Sequence, residues 1–130
     1  MSERRYKPEK YPDLSPYLIA NGAQSVIDFL KDVFGASDLR RYEDPKGGLL
    51  HAEVKVGDSV VMIADGNEQW PGVLCHIHVY VLDVDAVFQK AVAAGAEVIQ
   101  EPKTREGDPD KRGGFKDPSG NSWWVSTQTN

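Results

Sequence analysis

Apolar and polar positions alternate strictly along Cys75-His76-Ile77-His78-Val79-Tyr80-Val81: Cys75, Ile77, Val79 and Val81 fall on one side, His76, His78 and Tyr80 on the other. Strand side chains point to opposite faces with period two, so this stretch predicts a β-strand with one apolar face. Leu50 to Val56 alternates in the same way, with Leu50, Ala52, Val54 and Val56 against His51, Glu53 and Lys55. Gly57-Asp58 turns the chain, and Ser59 to Ala64 is a further strand rich in Val and Ile. Leu14 to Ala20 also alternates, and Pro16, lacking an amide hydrogen, predicts an edge strand there. Val26, Phe29, Leu30 and Val33, with Ile27 and Phe34 beside them, recur at helical spacing before Gly35. That spacing predicts a helix over Ala23 to Phe34.

A second helix starts from Asp83 as its cap, carries Val84, Val87, Phe88 and Ala91, and stops at Gly95. Short strands are expected at Leu39 to Tyr42, at Val98 to Pro102, from Phe115, and at Ser122 to Thr127. Asp65 to Gly72, with Trp70 in it, is a polar loop. Lys103 to Gly114 is polar, charged and Gly/Pro-bearing, which predicts a long, mobile hairpin connection. Asp65 and the charged residues Arg105, Glu106, Asp108, Asp110, Lys111 and Arg112 are expected to be solvated.

The predicted order is strand, helix, strand, strand, strand, and then the same again. Local matches support a repeat: Phe34-Gly35-Ala36 with Ala94-Gly95-Ala96 after each helix, and Gly57-Asp58-Ser59 with Gly120-Asn121-Ser122 before each final strand. The expected fold class is α+β: two βαβββ repeats forming a half-barrel with a central cleft and helices outside. The chain divides into a polar N-terminal arm over 1–12 and a single domain over 13–130, with halves at about 13–66 and 73–128.

At 130 residues, with 40% apolar and 27% charged positions, the composition is that of one globular domain. A net charge of -5 argues against nucleic acid as a partner, since phosphate binding requires a basic face. No apolar run approaches the ~20 residues of a membrane span. The N-terminus lacks the apolar segment of a secretory signal, and the single cysteine, Cys75, cannot form an internal disulfide. A cytoplasmic location is the expectation. There is no Gly-x-Ser-x-Gly elbow, no Cys-x-x-Cys pair and no phosphate-binding Gly-rich loop.

The chain resembles the vicinal oxygen chelate superfamily, which includes glyoxalase I, bleomycin-binding proteins, fosfomycin-resistance enzymes and extradiol dioxygenases, and within it the PhnB-like subgroup. The resemblance is carried by Pro16-Tyr17-Leu18 leading to Ile27-Asp28-Phe29, by Phe34-Gly35-Ala36, and by His51-Ala52-Glu53 with Gly57-Asp58-Ser59. It continues through Tyr80-Val81 with Asp83-Val84-Asp85-Ala86 and through Asp117-Pro118-Ser119-Gly120-Asn121. It implies a homodimer and a small-molecule ligand. The superfamily's enzymes hold a divalent metal with one residue from each of four strands, and those positions fall on Ser15, Val61 or Met62, His76 and Trp124. One donor of four survives, so the resemblance implies a protein without the usual metal site.

The expected ligand-binding residues are Tyr17, His51, Glu53, His76, His78, Tyr80 and Trp124. Polar-tipped aromatics and imidazoles on one face suit a pocket for an amphipathic small molecule. A rearranged site is the alternative. His76 and His78, about 6.6 Å apart along one strand, could chelate Zn, Ni, Mn or Fe with Glu53 (or His51) as third ligand, giving a metal-dependent lyase, isomerase or dioxygenase. Trp123 should pack outward, and Trp70 rim the cleft or cover a dimer contact.

Overall fold

The computed structural model describes residues 5–129; residues 1–4 of the predicted arm, and Asn130, lie outside the described residues. The elements are β1 (Tyr17–Ala20), α1 (Ala23–Phe34), β2 (Ser37–Glu43), β3 (Leu49–Val56) and β4 (Ser59–Asp65), then β5 (His76–Tyr80), α2 (Val84–Ala93), β6 (Glu97–Lys103), β7 (Asp110–Lys116) and β8 (Ser122–Gln128). They form two four-stranded sheets, ordered β1-β4-β3-β2 and β5-β8-β7-β6. In each, the first strand runs parallel to the last and the other neighbours are antiparallel. The fold is therefore α+β, built of two βαβββ repeats with open sheets. Pro16 does precede an edge strand, β1, and its carbonyl still accepts from Met62 N at 2.9 Å.

The repeat extends to the helix ends. Gly35 (φ 67°) and Gly95 (φ 90°) both take the left-handed conformation that closes a helix without a Cβ penalty. After each, the next amide reaches back into the helix: Ala36 N to Leu30 O at 3.3 Å, Ala96 N to Ala91 O at 3.0 Å. The helix starts differ. Asp83 caps α2 through Ala86 N at 3.1 Å. The α1 start has Gly22 instead, and its first amide, Ala23 N, donates to Asp65 Oδ1 at 2.8 Å. Asp65 Oδ2 also accepts from Leu49 N at 2.7 Å. Asp65 is thus a structural clamp between α1 and β3, not the solvated carboxylate expected of a loop residue.

One core serves both halves. Leu18, Ala52, Val54 and Ile63 lie under α1 on the first sheet. Phe29 and Phe34 of the same helix reach the second sheet: Phe29 meets Phe115 at 5.8 Å between ring centroids, and Phe34 meets Trp123 at 5.6 Å. Phe88 of α2 packs on Phe115 at 6.3 Å. Trp123 is fully buried against α1, as its predicted outward position requires. The helices cover one face of each sheet and leave the other open. Because α1 lies against the covered faces of both sheets, the open faces point away from the shared core. They do not close on one another within one chain.

The largest departure from expectation is over Lys103 to Gly114. The turn is only Thr104 to Pro109, and Asp110 to Gly114 belong to β7. Period two holds there, but the open-face residues are Asp110, Arg112 and Gly114, which read as loop because none is apolar. Asp110 is 6% exposed and accepts from Tyr80 and Arg112, so it is not solvated. Among the described residues no helix is long and apolar enough to cross a membrane.

If Phe115 joins the halves, Phe115→Ala should destabilise the protein by about 3–5 kcal/mol in urea unfolding, in one transition. Val92→Ala on the exposed side of α2 should change stability by less than about 0.5 kcal/mol.

Candidate functional site

The open face of the first sheet carries Tyr17, His51 and Glu53. The register places Tyr17 beside Met62 and Met62 beside Glu53, in a row across β1, β4 and β3. His51 stands two residues from Glu53 on the same strand face, and its Nε2 meets Glu53 Oε2 at 2.8 Å. Its Nδ1 meets the Tyr17 hydroxyl at 3.0 Å. Glu53 is 4% exposed, because the segment before β1 crosses it: Tyr11 donates its hydroxyl to Oε1 at 2.6 Å. Arg40 lies over the Tyr11 ring at 5.6 Å.

These contacts set the charge state of Glu53. Burial raises the Glu53 carboxyl pKa, but the hydrogen bonds from Tyr11 and His51 and the attraction of His51 and Arg40 outweigh it, and the pKa is lowered. Glu53 is therefore a carboxylate that only accepts. His51 bridges the two side chains, its Nε2 on Glu53 Oε2 and its Nδ1 on the Tyr17 hydroxyl. The result is a hydrogen-bonded chain through Tyr17, His51 and Glu53, with Tyr11 on the far oxygen.

The open face of the second sheet carries His76, His78, Tyr80 and Trp124. Trp124 Nε1 donates to His76 Nδ1 at 3.1 Å, and the two rings lie nearly parallel, at 11°, with centroids 6.3 Å apart. The indole lies flat on the backbone of β7: a Cβ on Gly114 would stand 2.5 Å from Trp124 Cε3, so only glycine fits beneath it. His78 Nε2 pairs with Ser126 Oγ at 2.9 Å, and Tyr80 donates to Asp110 Oδ2 at 2.6 Å. Burial, and secondarily the Arg112 guanidinium, lower the His78 pKa against the opposing pull of Asp110, favouring neutral imidazole. The hydrogen bond to Asp110 raises the Tyr80 pKa.

The seven expected residues thus form two groups, Tyr17–His51–Glu53 and His76–His78–Tyr80–Trp124. Among the described residues, every hydrogen bond they make stays on their own sheet or goes to Tyr11. A cavity of about 560 Å³ adjoins Tyr17, with Ile19, Leu50 and Trp70 in its wall. One of about 220 Å³ adjoins Trp124. Sequence reasoning missed Tyr11, Ser126, Asp110 and Arg112. The signal for the last two was present in the alternation of Asp110, Arg112 and Gly114.

Two open βαβββ sheets, each with one helix-covered face and one polar, aromatic face, define a class of paired-repeat domains. The chain belongs to the glyoxalase/bleomycin resistance protein/dioxygenase superfamily, whose family model matches residues 15–125. An uncharacterised protein of Mycobacterium bovis is 37% identical, over 86% of this chain and 80% of its own length. Among solved structures, TioX from Micromonospora sp. ML1 is similar with a TM-score of 0.71 at 24% identity, over 89% of this chain and 95% of its own. The antibiotic binding protein TnmS3 from Streptomyces sp. CB03234 aligns with a TM-score of 0.68 at 19% identity, over 91% and 99%. The fosfomycin resistance protein FosX from Listeria monocytogenes aligns at 0.70 and 16%, over 91% and 93%.

The four positions that the resemblance assigns to metal ligands hold Ser15, Val61 or Met62, His76 and Trp124. Only His76 offers a nitrogen donor, and its Nδ1 already accepts the Trp124 N–H. This donor set does not fit the usual centre. The rearranged trio of His76, His78 and Glu53 is divided between the two open faces. Among the described residues no three His, Cys, Asp or Glu side chains are grouped to hold an ion.

The lowered Glu53 pKa carries a stability consequence. A carboxylate held below its ordinary value of 4.5 stabilises the fold above that pH, and the contribution is lost as pH falls through the folded value. Urea unfolding should show Glu53→Gln less stable than wild type at pH 7, with the gap narrowing below about pH 4.5.

Proposed function

We propose that the protein is a PhnB-like small-molecule-binding member of its superfamily. Its cleft forms between the first open face of one copy and the second open face of another, and it binds without a metal. The observation that carries this reading is the outward direction of both open faces. Each presents aromatic rings with polar tips, Tyr17 on one and Tyr80 and Trp124 on the other, at 48% exposure for Tyr17 and 65% for Tyr80. Such rings suit a ligand pocket, and a homodimer brings the two walls together while burying them. Tyr17, His51 and Glu53 would then face His76, His78, Tyr80 and Trp124 across the ligand. An antibiotic is one class of such ligand, in keeping with the likeness to TnmS3, an antibiotic binding protein.

The second reading is a lyase, isomerase or dioxygenase with Zn, Ni, Mn or Fe on His76, His78 and Glu53. It would draw on the same dimer, which would bring Glu53 of one copy toward the histidine face of the other. Against it, the identified hydrogen bonds already engage one nitrogen on each histidine and both oxygens of Glu53.

Sedimentation equilibrium should give a dimer, and a monomer at micromolar concentration would contradict the shared cleft. Calorimetric titration of chelator-stripped protein with Zn²⁺, Ni²⁺, Mn²⁺ and Fe²⁺ should give no tight stoichiometric binding. A one-to-one complex abolished by His76→Ala/His78→Ala would replace the first reading with the second.

A further inference from the structure

The cavity of about 220 Å³ beside Trp124 is lined by Gln100, Lys103, Arg105, Asp108 and Arg112. Three cationic side chains converge there on a chain whose net charge is -5. They are not equivalent. Arg112 is committed to Asp108 at 3.0 Å and Asp110 at 3.3 Å, which hold it in place. Lys103 and Arg105 form no ion pair with any carboxylate among the described residues; Arg105 donates to Gln100 Oε1 at 3.2 Å. Gln100 is in turn fixed by its amide, which donates to Arg112 O at 3.1 Å. The indole of Trp124 lines the cavity, immobilised against Gly114 and hydrogen-bonded to His76.

We infer that this cavity is an anion subsite, and that the ligand of the cleft is a planar molecule bearing a carboxylate or phosphate. The planar body lies on the near-coplanar Trp124–His76 pair while the acid group meets Lys103 and Arg105. This rests on the reading of the open faces as ligand-binding walls and names the chemistry of the ligand. The physical case is one of contrast. Charge-assisted hydrogen bonds to an anion are about twice as strong as neutral ones, and two uncommitted cations beside a fixed aromatic plane select an aromatic acid over its neutral isostere. Arg112, already neutralised, supplies position instead of charge.

The test uses the full-length protein and three nitroaromatic probes that quench indole emission on contact: 4-nitrobenzoate, 4-nitrophenyl phosphate and the neutral 4-nitrobenzamide. The expected result is saturable quenching that disappears in Trp124→Phe. At least one anion should bind roughly tenfold or more tightly than the amide, and its binding should weaken as salt rises. Lys103→Gln/Arg105→Gln, at two exposed positions, should abolish that preference and leave the amide unaffected. Whichever anion binds more tightly identifies the acid group. Equal binding of amide and anions at Trp124 would overturn the anion subsite while leaving a small-molecule cleft intact. A preference that survives in the double variant would overturn it as well. Absence of quenching by all three probes would overturn the subsite, and the shared cleft would then stand or fall on the sedimentation result.

Discussion

The packing of α1 against both sheets governs the rest of this structure. Had each helix served only its own sheet, the two halves could hinge freely and the open faces could turn toward each other. Phe29 and Phe34 prevent that by packing against Phe115 and Trp123, fully buried residues of the other half. A shared core of this kind buries more apolar area than two small ones, which matters for halves of some sixty residues each. The cost is that two polar, aromatic sheet faces are left to solvent in the single chain. The proposed homodimer would resolve that cost by covering both faces.

The polar groups that remain inside are matched with care. Asp117, 5% exposed, accepts from the backbone amides of Ser119, Gly120 and Asn121 through one oxygen. Its other oxygen accepts from Asn121 Nδ2 and from Trp123 Nε1 at 2.8 Å. Asn121 in turn accepts from Cys75 N at 2.9 Å, which ties the β7–β8 turn to the start of β5. Among the described residues no buried side-chain nitrogen or oxygen lacks a partner. A carboxylate that accepts four or five hydrogen bonds repays its desolvation, whereas losing one donor would leave an expensive charge behind. His76 and Trp124 stand on β5 and β8, the two strands that this turn and Asn121 hold together.

Most of the fold was legible because its signals are local. The α1 boundaries, the edge position of β1 and the helix stops at Gly35 and Gly95 follow from periodicity and from residues with restricted or permissive backbones. The β7 strand was hidden for the opposite reason. Its open face is made of Asp110, Arg112 and Gly114, whose strand character comes from partners on β5 and β8: Tyr80 for Asp110, Trp124 for Gly114. No window along the chain contains those partners. Asp65 was misread likewise, since its clamp on Ala23 and Leu49 spans residues far apart in sequence. The two polar faces were found by alternation, because His51 with Glu53 and His76 with His78 each share a face by spacing alone. Their division between separate walls depends on α1, and period-two reasoning within a strand carries no information about how one sheet sits on another.

The repeat also explains how one architecture yields two unlike walls. β3 and β7 occupy corresponding places, each beside the last strand of its half, yet β3 presents His51 and Glu53 where β7 presents Asp110, Arg112 and Gly114. The first wall is a hydrogen-bonded chain of Tyr17, His51 and Glu53 that ends on a buried carboxylate. The second is an aromatic plane with cations at its margin. Duplication alone would give a symmetric cleft that treats both ends of a ligand alike. Divergence at a few open-face positions, with the covered faces kept apolar, makes the proposed cleft polar in one sense. A ligand with a hydroxyl at one end and an acid at the other would fit it in a single orientation, and selectivity of that kind needs no change in the core at all.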